Sequence, residues 1–185
     1  MADAETQITL DALQDAIEAD IKAAFPDLAT VEFDREDRTG LVLPAVLLDI
    51  SELDADDDLE RGTEQLAVSL RIEALVVIGA ISTPRAKREG RKLAASLATW
   101  LHMRKWTDTA NPGRKLPARA ANVAGCYRDH FDQDLDEYIV WRVEWTQVAH
   151  LGESIWKNDG VIPTQVFTAF APGIGAGNEG GYVQL

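Results

Sequence analysis

Near the start of the chain, hydrophobic residues recur every three or four positions, which predicts an amphipathic helix. Leu13, Ile17 and Ile21 share one face, while acidic residues occupy the other sides. Thr9 is a suitable N-cap, because its hydroxyl can accept a hydrogen bond from a free amide of the first turn. Pro26 cannot continue a helix, so the element should end just before it.

Five later segments carry the patterns of strands. In the longest, 63–79, polar and apolar residues alternate first, and the sequence then becomes uniformly apolar. Its first half should therefore have one face toward water or a partner, and its second half should enter the core. The acidic residues 51–60 predict a loop. The predicted strands are 30–34, 44–50, 63–79, 118–127 and 136–147.

A second helix should begin at Thr83-Pro84, since proline is preorganised for the first helical position. It should continue to about Lys105, with Leu97 and Leu101 on its buried face. The order is then one helix, three strands, one helix and two strands. This order predicts an α/β (α+β) fold in which a single mixed or antiparallel sheet carries two helices on one face.

Two tryptophans share one face of the last predicted strand. Trp141 and Trp145 are four residues apart, and Arg142, Glu144 and Thr146 point the other way. Such a pair fits a core, an aromatic ligand platform or a subunit contact. Buried aromatics most often belong to the core, so we expect both rings to pack under the second helix.

Proline and glycine accumulate toward the C-terminus. We therefore expect one α/β domain over residues 1–157 and an extended Pro/Gly-rich arm over residues 158–185. The acidic start lacks the basic and apolar regions of a signal peptide, and the apolar run 74–81 is too short to cross a bilayer. With the single cysteine Cys126, these features favour a soluble intracellular protein without internal disulfides.

The net charge of −13 is unevenly distributed along the chain. Residues 1–60 hold eighteen acids and three bases, whereas residues 61–185 hold thirteen acids and fifteen bases. An acidic chain does not suit sequence-independent DNA binding, which needs a cationic surface to displace counterions. Such polarity fits contact with other copies of the chain or with a charged partner, and it fits plain solubility equally well.

Residues for catalysis or for metal binding are sparse. Each histidine stands alone in its stretch, and Cys126 and His130 lack further ligands at a recognisable spacing. The acidic segment imitates the opening of a calcium loop, but Leu59 replaces the glycine and Gln65 replaces the bidentate glutamate that an EF-hand requires. A solvated acidic loop or a different cation site stays open. We predict no catalytic residue, no metal and no cofactor, and hence no enzyme.

Five bases crowd the start of the second predicted helix. Cations at this end oppose the helix macrodipole, so helix stability does not explain their presence. Without interleaved aromatics they are a weak nucleic-acid signal. A solvated face is one interpretation. Another is contact with the acidic segment 54–60 of a neighbouring copy, and then reversing the charges of two of these arginines should weaken self-association. The bases are Arg85, Lys87, Arg88, Arg91 and Lys92.

The order of several short segments over residues 8–157 resembles the tail terminator (tail completion) proteins of long-tailed bacteriophages, particularly those of the Mu-like lineage. An N-terminal amphipathic helix precedes an apolar strand, an acidic loop and a long strand; a helix, a tryptophan-rich strand and a short motif follow. The individual motifs are degenerate, and the resemblance lies in their order and spacing. The segments are LPAVLLDI, GTEQLAVSLRIEALVVI, LATWLHMRKW, YIVWRVEWTQ and LGESIW.

The resemblance implies a structural protein of the virion, assembled in the host cytoplasm as a homohexameric ring at the head-proximal end of the tail. The ring would stop polymerisation of the tail tube protein and offer a docking surface to the head–tail connector protein. Its lumen would lie near DNA without binding it specifically, and no membrane would be involved. A head–tail adaptor or another minor tail component is the first alternative, a small-ligand-binding α/β domain the second and an enzyme a distant third.

Patterning, rather than any family motif, selects the residues expected at a subunit or partner interface. The half-exposed part of the long strand and the acidic loop before it should meet a neighbour. The start of the second helix should face another subunit, the lumen or the connector. These residues are Asp54, Asp56, Asp57, Asp58, Gln65, Arg71, Arg85, Lys87, Arg88, Arg91 and Lys92.

Overall fold

Five strands form one mixed sheet at the centre of the protein. The computed structural model describes residues 8–35, 40–59, 62–80, 84–129, 138–152 and 167–184. The sheet order is β1-β2-β3-β5-β4, where β1 runs parallel to β2 and the other neighbours are antiparallel. The strands are β1 (Thr30–Phe33), β2 (Ala45–Ala55), β3 (Leu66–Gly79), β4 (Asn122–Asp129) and β5 (Tyr138–Leu151).

Two helices, α1 (Leu10–Ala24) and α2 (Ala86–Leu101), pack on the same face of this sheet. Their buried residues join those of β2, β3 and β5 in one apolar cluster, which excludes water from that face and is the largest source of stability. The predicted fold class and element order are confirmed. The chain divides into two compact units, Glu5–Trp156 and a second unit of Met1–Ala4 with Lys157–Leu185.

The helix α1 forms where the hydrophobic period predicts it. The Thr9 hydroxyl accepts a hydrogen bond from the Ala12 amide at 3.2 Å, which satisfies one of the free donors of the first turn. Leu13, Ile17 and Ile21 are fully buried against the sheet. The predicted cap and the predicted buried face are both confirmed.

The strand β2 is longer than its sequence predicts, and the interpretation of residues 51–55 as a loop is wrong. The apolar run ends at Ile50, but pairing with β3 continues through Leu53, which lies opposite Leu70, to Ala55. Ser51 is the extra residue of a β-bulge between Ile50 and Glu52. The length of β2 is therefore set by pairing with β3, and not by the hydrophobicity of β2 itself.

The predicted bounds of α2 are wrong at both ends. The helix begins at Ala86, two residues after Pro84, because Arg85 adopts the left-handed conformation at φ 57°. It ends at Leu101 instead of near Lys105, because Met103 is also left-handed and its amide donates to the Ala121 carbonyl at 2.8 Å. Thr83 lies outside the described residues.

Other boundaries differ from the predictions by a few residues. The long strand begins at Leu66 rather than at residue 63, and residues 118–121 precede β4 instead of starting it. The predicted turns at 36–40 and 129–137 lie outside the described residues, except for their outermost positions. No described helix is long and apolar enough to span a membrane.

The tryptophan strand contributes to the core, as expected for Trp145. Its side chain is fully buried in the cluster that contains Leu97 and Leu101. Trp145 also ends a row of neighbouring aromatic rings that starts at Phe25 and passes through Trp100 and Trp106, with centroids 5.7, 6.1 and 6.5 Å apart. Partly buried Trp141 packs at the edge of the same cluster, against Gly90 of α2.

The C-terminal unit is described over residues 167–184. Two short strands, β6 (Phe167–Thr168) and β7 (Val183–Gln184), pair antiparallel, with a 3-10 turn at Glu179–Gly181 between them. The sequence predicts an extended arm from residue 158, and residues 158–166 lie outside the described part of the chain. Within the described part, the arm folds back into a small hairpin that exposes Phe170.

Candidate subunit interface

One half of β2 lies at an edge of the described sheet. The strand β1 bonds β2 only from Ala45 to Leu48, and no other described strand bonds the remaining edge, from Asp49 to Ala55. Backbone donors and acceptors are therefore available there, as on any edge strand. We call this half strand and the short turn that follows it the acidic edge. Its exposed or half-buried carboxylates, as far as their side chains are described, belong to Asp49, Glu52, Asp54, Asp56 and Asp58.

Backbone contacts hold the turn at the end of the acidic edge. The Asp56 amide donates to the Ala67 carbonyl at 3.0 Å, and the Asp58 amide donates to the Asp56 carboxylate at 3.1 Å. The His150 Nε2 atom lies 3.0 Å from the Leu59 carbonyl oxygen, within hydrogen-bond reach. These contacts fix the turn without neutralising its acids, and among the described residues none of its carboxylates is in an ion pair.

Two predicted interface residues of β3 and the segment before it have partners within the chain. Gln65 is buried, and its amide Nε2 donates to the Gly152 carbonyl at 2.8 Å. Arg71 pairs with Glu52 across the strands at 3.0 Å, and both side chains are about half exposed. Exposed pairs contribute little, about 0–1 kcal/mol, so Arg71 stays available to a partner whereas Gln65 is committed to the fold. Asp57 lies in the 3-10 turn Asp57–Leu59.

Four of the five predicted bases at the start of α2 line an open cavity. Arg85, Lys87, Arg88 and Arg91 are exposed and surround a volume of about 420 Å³. We call this site the basic cavity. Small and apolar side chains complete its lining, and they belong to Ala80, Ala86 and Ile139.

The bases of the basic cavity have no counter-ions within the described part of the chain. Lys92 lies beside the cavity rather than in its lining and pairs with Glu89 of its own helix at 3.0 Å. By contrast, none of the four lining bases is in an ion pair among the described residues. Their mutual repulsion, and their opposition to the helix dipole, are relieved when an anion binds.

The acidic edge and the basic cavity lie at opposite ends of one strand. Asp54 and Ala55 are opposite Ser69 and Val68, near the start of β3. Ala80, in the cavity lining, follows the end of β3. At ~3.3 Å per residue, the distance along β3 to Gly79 is about 35 Å from Val68, opposite Ala55, and about 20 Å from Glu73, opposite Asp49. The structure therefore does not bring the two sets of predicted residues together within one chain.

The sheet face opposite the helices holds a charge cluster that the sequence analysis missed. The Arg142 guanidinium donates to Asp129 at 2.9 Å and lies 3.1 Å from Glu73 and 3.8 Å from Glu144. The Tyr127 hydroxyl donates to Glu144 at 2.6 Å, and this bond and burial raise the pKa of Tyr127. Burial alone would lower the pKa of Arg142. The hydrogen bond to Asp129 and the negative charges of the three carboxylates outweigh burial, so the pKa of Arg142 is raised above its usual value. The alternation of charged and apolar residues around Arg142 is the one sequence signal that could have indicated the cluster.

We expect replacement of Arg142 by methionine to lower the free energy of unfolding by about 1–3 kcal/mol, because three half-buried or buried carboxylates would lose their shared cation. Urea denaturation at neutral pH measures this change. The control is Lys22→Met, which removes an exposed pair with Glu18 on α1 and should cost less than about 0.5 kcal/mol. Equal losses in the two variants would contradict a structural role for the cluster.

Groups that could perform chemistry are not assembled in the described part of the chain. Burial raises the pKa of the Cys126 thiol, which disfavours the reactive thiolate. Among the described residues, no group of three or more histidine, cysteine, aspartate or glutamate side chains could hold a metal ion. His130, the sequence neighbour of this thiol, lies outside the described residues. The expectation of no enzyme and no cofactor stays a prediction.

Comparisons with known proteins do not assign a family. No protein-family model matches the sequence, and no curated protein matches it. Solved structures that are similar include one whose likeness covers 77% of this chain and 93% of its own, at 13% identity and a TM-score of 0.42. A likeness at this level carries no functional argument.

Proposed function

We propose that the protein is a tail terminator of a long-tailed, Mu-like bacteriophage, a structural virion protein that forms a ring on the finished end of the tail tube. Its partners would be other copies of itself, the tail tube protein and the head–tail connector protein. The order of sequence segments supports this proposal, and so does a fold of two helices on one face of a mixed sheet.

The observation that carries the proposal is the placement of two oppositely charged surfaces toward opposite ends of β3. A ring needs heterologous contacts, in which one patch meets a different patch on the next copy. Surfaces of opposite charge that cannot reach each other within a chain meet that requirement. A catalytic or ligand-binding role has no comparable support among the described residues.

Deletion of the gene from the phage tests the proposed function. We expect tail tubes that are overlong and variable in length and that lack heads, because nothing would stop polymerisation. Negative-stain electron microscopy measures the length distribution, and the intact gene supplied in trans should restore uniform tails. Tails of normal length beside filled, unattached heads would point instead to a head–tail adaptor. Normal infectious particles would contradict both structural roles.

A further inference from the structure

The acidic edge is unsuited to pairing with the same edge of a second copy. Exposed edge strands commonly add a strand from another chain, but here the added strand would place Asp49, Glu52 and Asp54 beside identical residues. Like charges at such distances repel, and the bulge at Ser51 distorts the ladder further. A positively charged surface would complement this edge, whereas a second acidic edge would not.

The basic cavity has the matching charge and a matching apolar part. Four bases without an ion-pair partner among the described residues surround it, and the side chains of Ala86 and Ile139 contribute its apolar lining. On the acidic edge, Leu53 is 43% exposed, and it lies on the opposite strand face from Glu52 and Asp54. A partner surface that encloses the strand edge covers both faces, so it would bury the leucine and pair the charges in the same contact.

We propose that the acidic edge of one copy docks in the basic cavity of the next copy. The two surfaces lie about 20–35 Å apart along β3, so they cannot neutralise each other within one chain. Each copy thus offers one acidic and one basic surface, and contact between them repeats head to tail. This contact specifies the interface of the ring proposed above and rests on self-assembly of that kind.

A charge exchange between the two surfaces tests the contact. One variant carries Asp54→Lys and Asp58→Lys, and the other carries Arg88→Glu and Arg91→Glu. Each variant alone places like charges opposite each other at the substituted positions, so its self-association should weaken at least ~10-fold. An equimolar mixture should return to within ~3-fold of the original affinity, because alternating copies again place opposite charges at these positions in every contact. Sedimentation velocity over a concentration series measures each affinity.

All four substituted residues are exposed, so each variant should keep its stability to within about 0.5 kcal/mol. Circular dichroism and urea denaturation check that the variants fold. A matched control reverses the exposed charges of Asp27 and Lys105, which belong to neither surface, and should leave assembly unchanged. The contact is overturned if either single-surface variant associates like the original protein, or if the mixture stays dissociated.

Zero-length crosslinking keeps the contact testable when association is weak. A carbodiimide joins a carboxylate directly to an amine, so Lys87 should crosslink to acids of the segment 52–58. A mixture of isotopically light and heavy protein should yield crosslinked peptides with one partner of each kind, which proves contact between copies. Lys105 is the control amine. A protein that stays monomeric up to about 1 mM and gives no mixed crosslink overturns the proposal.

Failure of this contact and failure of the proposed function give different results. If the mixture assembles again but tails have normal length after gene deletion, the head-to-tail contact is supported and the tail-terminator role is contradicted. Overlong tails after gene deletion, with no rescue in the mixture, leave the role intact and assign the subunit contact to another surface.

Discussion

Replacement of Trp145 by alanine should lower the free energy of unfolding by about 3–5 kcal/mol. The side chain is fully buried in the main core and packs against Trp106, with ring centroids 6.5 Å apart. Alanine would leave a large cavity between β5 and the helices. Because domains of this size are stable by only about 5–15 kcal/mol, the variant should be close to unfolding at 37 °C. Urea denaturation followed by circular dichroism measures the loss.

Two control variants separate packing from polarity and from position. Trp145→Phe keeps most of the ring volume and removes an indole N–H that has no acceptor among the described residues, so its loss should be much smaller. Trp141 lies on the same strand face, but its side chain is only partly buried. The loss of unfolding free energy in Trp141→Ala should therefore lie between the losses in the two Trp145 variants. A loss for Trp145→Ala no greater than that for Trp141→Ala would contradict its position in the core.

Replacement of Gln147 by leucine should cost about 2–4 kcal/mol, because it removes the partner of the buried Trp106 indole N–H and of a part-buried backbone carbonyl. The Gln147 side chain is 1% exposed and connects two distant parts of the chain. Its Oε1 accepts from the Trp106 indole at 2.6 Å, and its Nε2 donates to the Arg119 carbonyl at 2.7 Å. Leucine has a similar volume, so the loss should come from hydrogen bonding and hardly from packing.

A double-mutant cycle isolates the bond between Gln147 and Trp106. Trp106→Phe removes the donor. The smaller ring also loses packing energy, but this loss is the same in the single and the double variant, so it cancels in the coupling energy. The combined loss should be smaller than the sum of the two single losses by about 1–2 kcal/mol, since neither partner is left unsatisfied in the double variant. Additive losses would show that the bond contributes nothing to stability.

The sequence predicted those parts of the fold that depend on local patterns. The period of Leu13, Ile17 and Ile21 identified α1 and its buried face, and the alternation around Trp145 identified which face of β5 enters the core. In both cases the hydrophobic residues that pack are close together in sequence, so their spacing contains the information.

Features that depend on partners distant in sequence were not predicted. Residues 51–55 are acidic and look like a loop, yet they form a strand because β3 offers its edge at the right register. Trp106 follows α2 in an irregular segment, and its burial depends on Gln147, which is 41 residues later. The charged residues of the candidate interface were found by composition alone, but their placement at opposite ends of β3 needed the topology of the sheet.

That placement has a mechanical consequence. Suppose that neighbouring subunits pull on the acidic edge of β2 and on the basic cavity beyond β3. The force then acts along the strand axes. The hydrogen bonds of the ten residue pairs that connect β2 to β3 run perpendicular to these axes. The hydrogen bonds between these strands would then be loaded in shear and would have to break together, rather than open one after another as in peeling. A ring built through these two surfaces would resist tension between its subunits along the stiffest direction of the sheet.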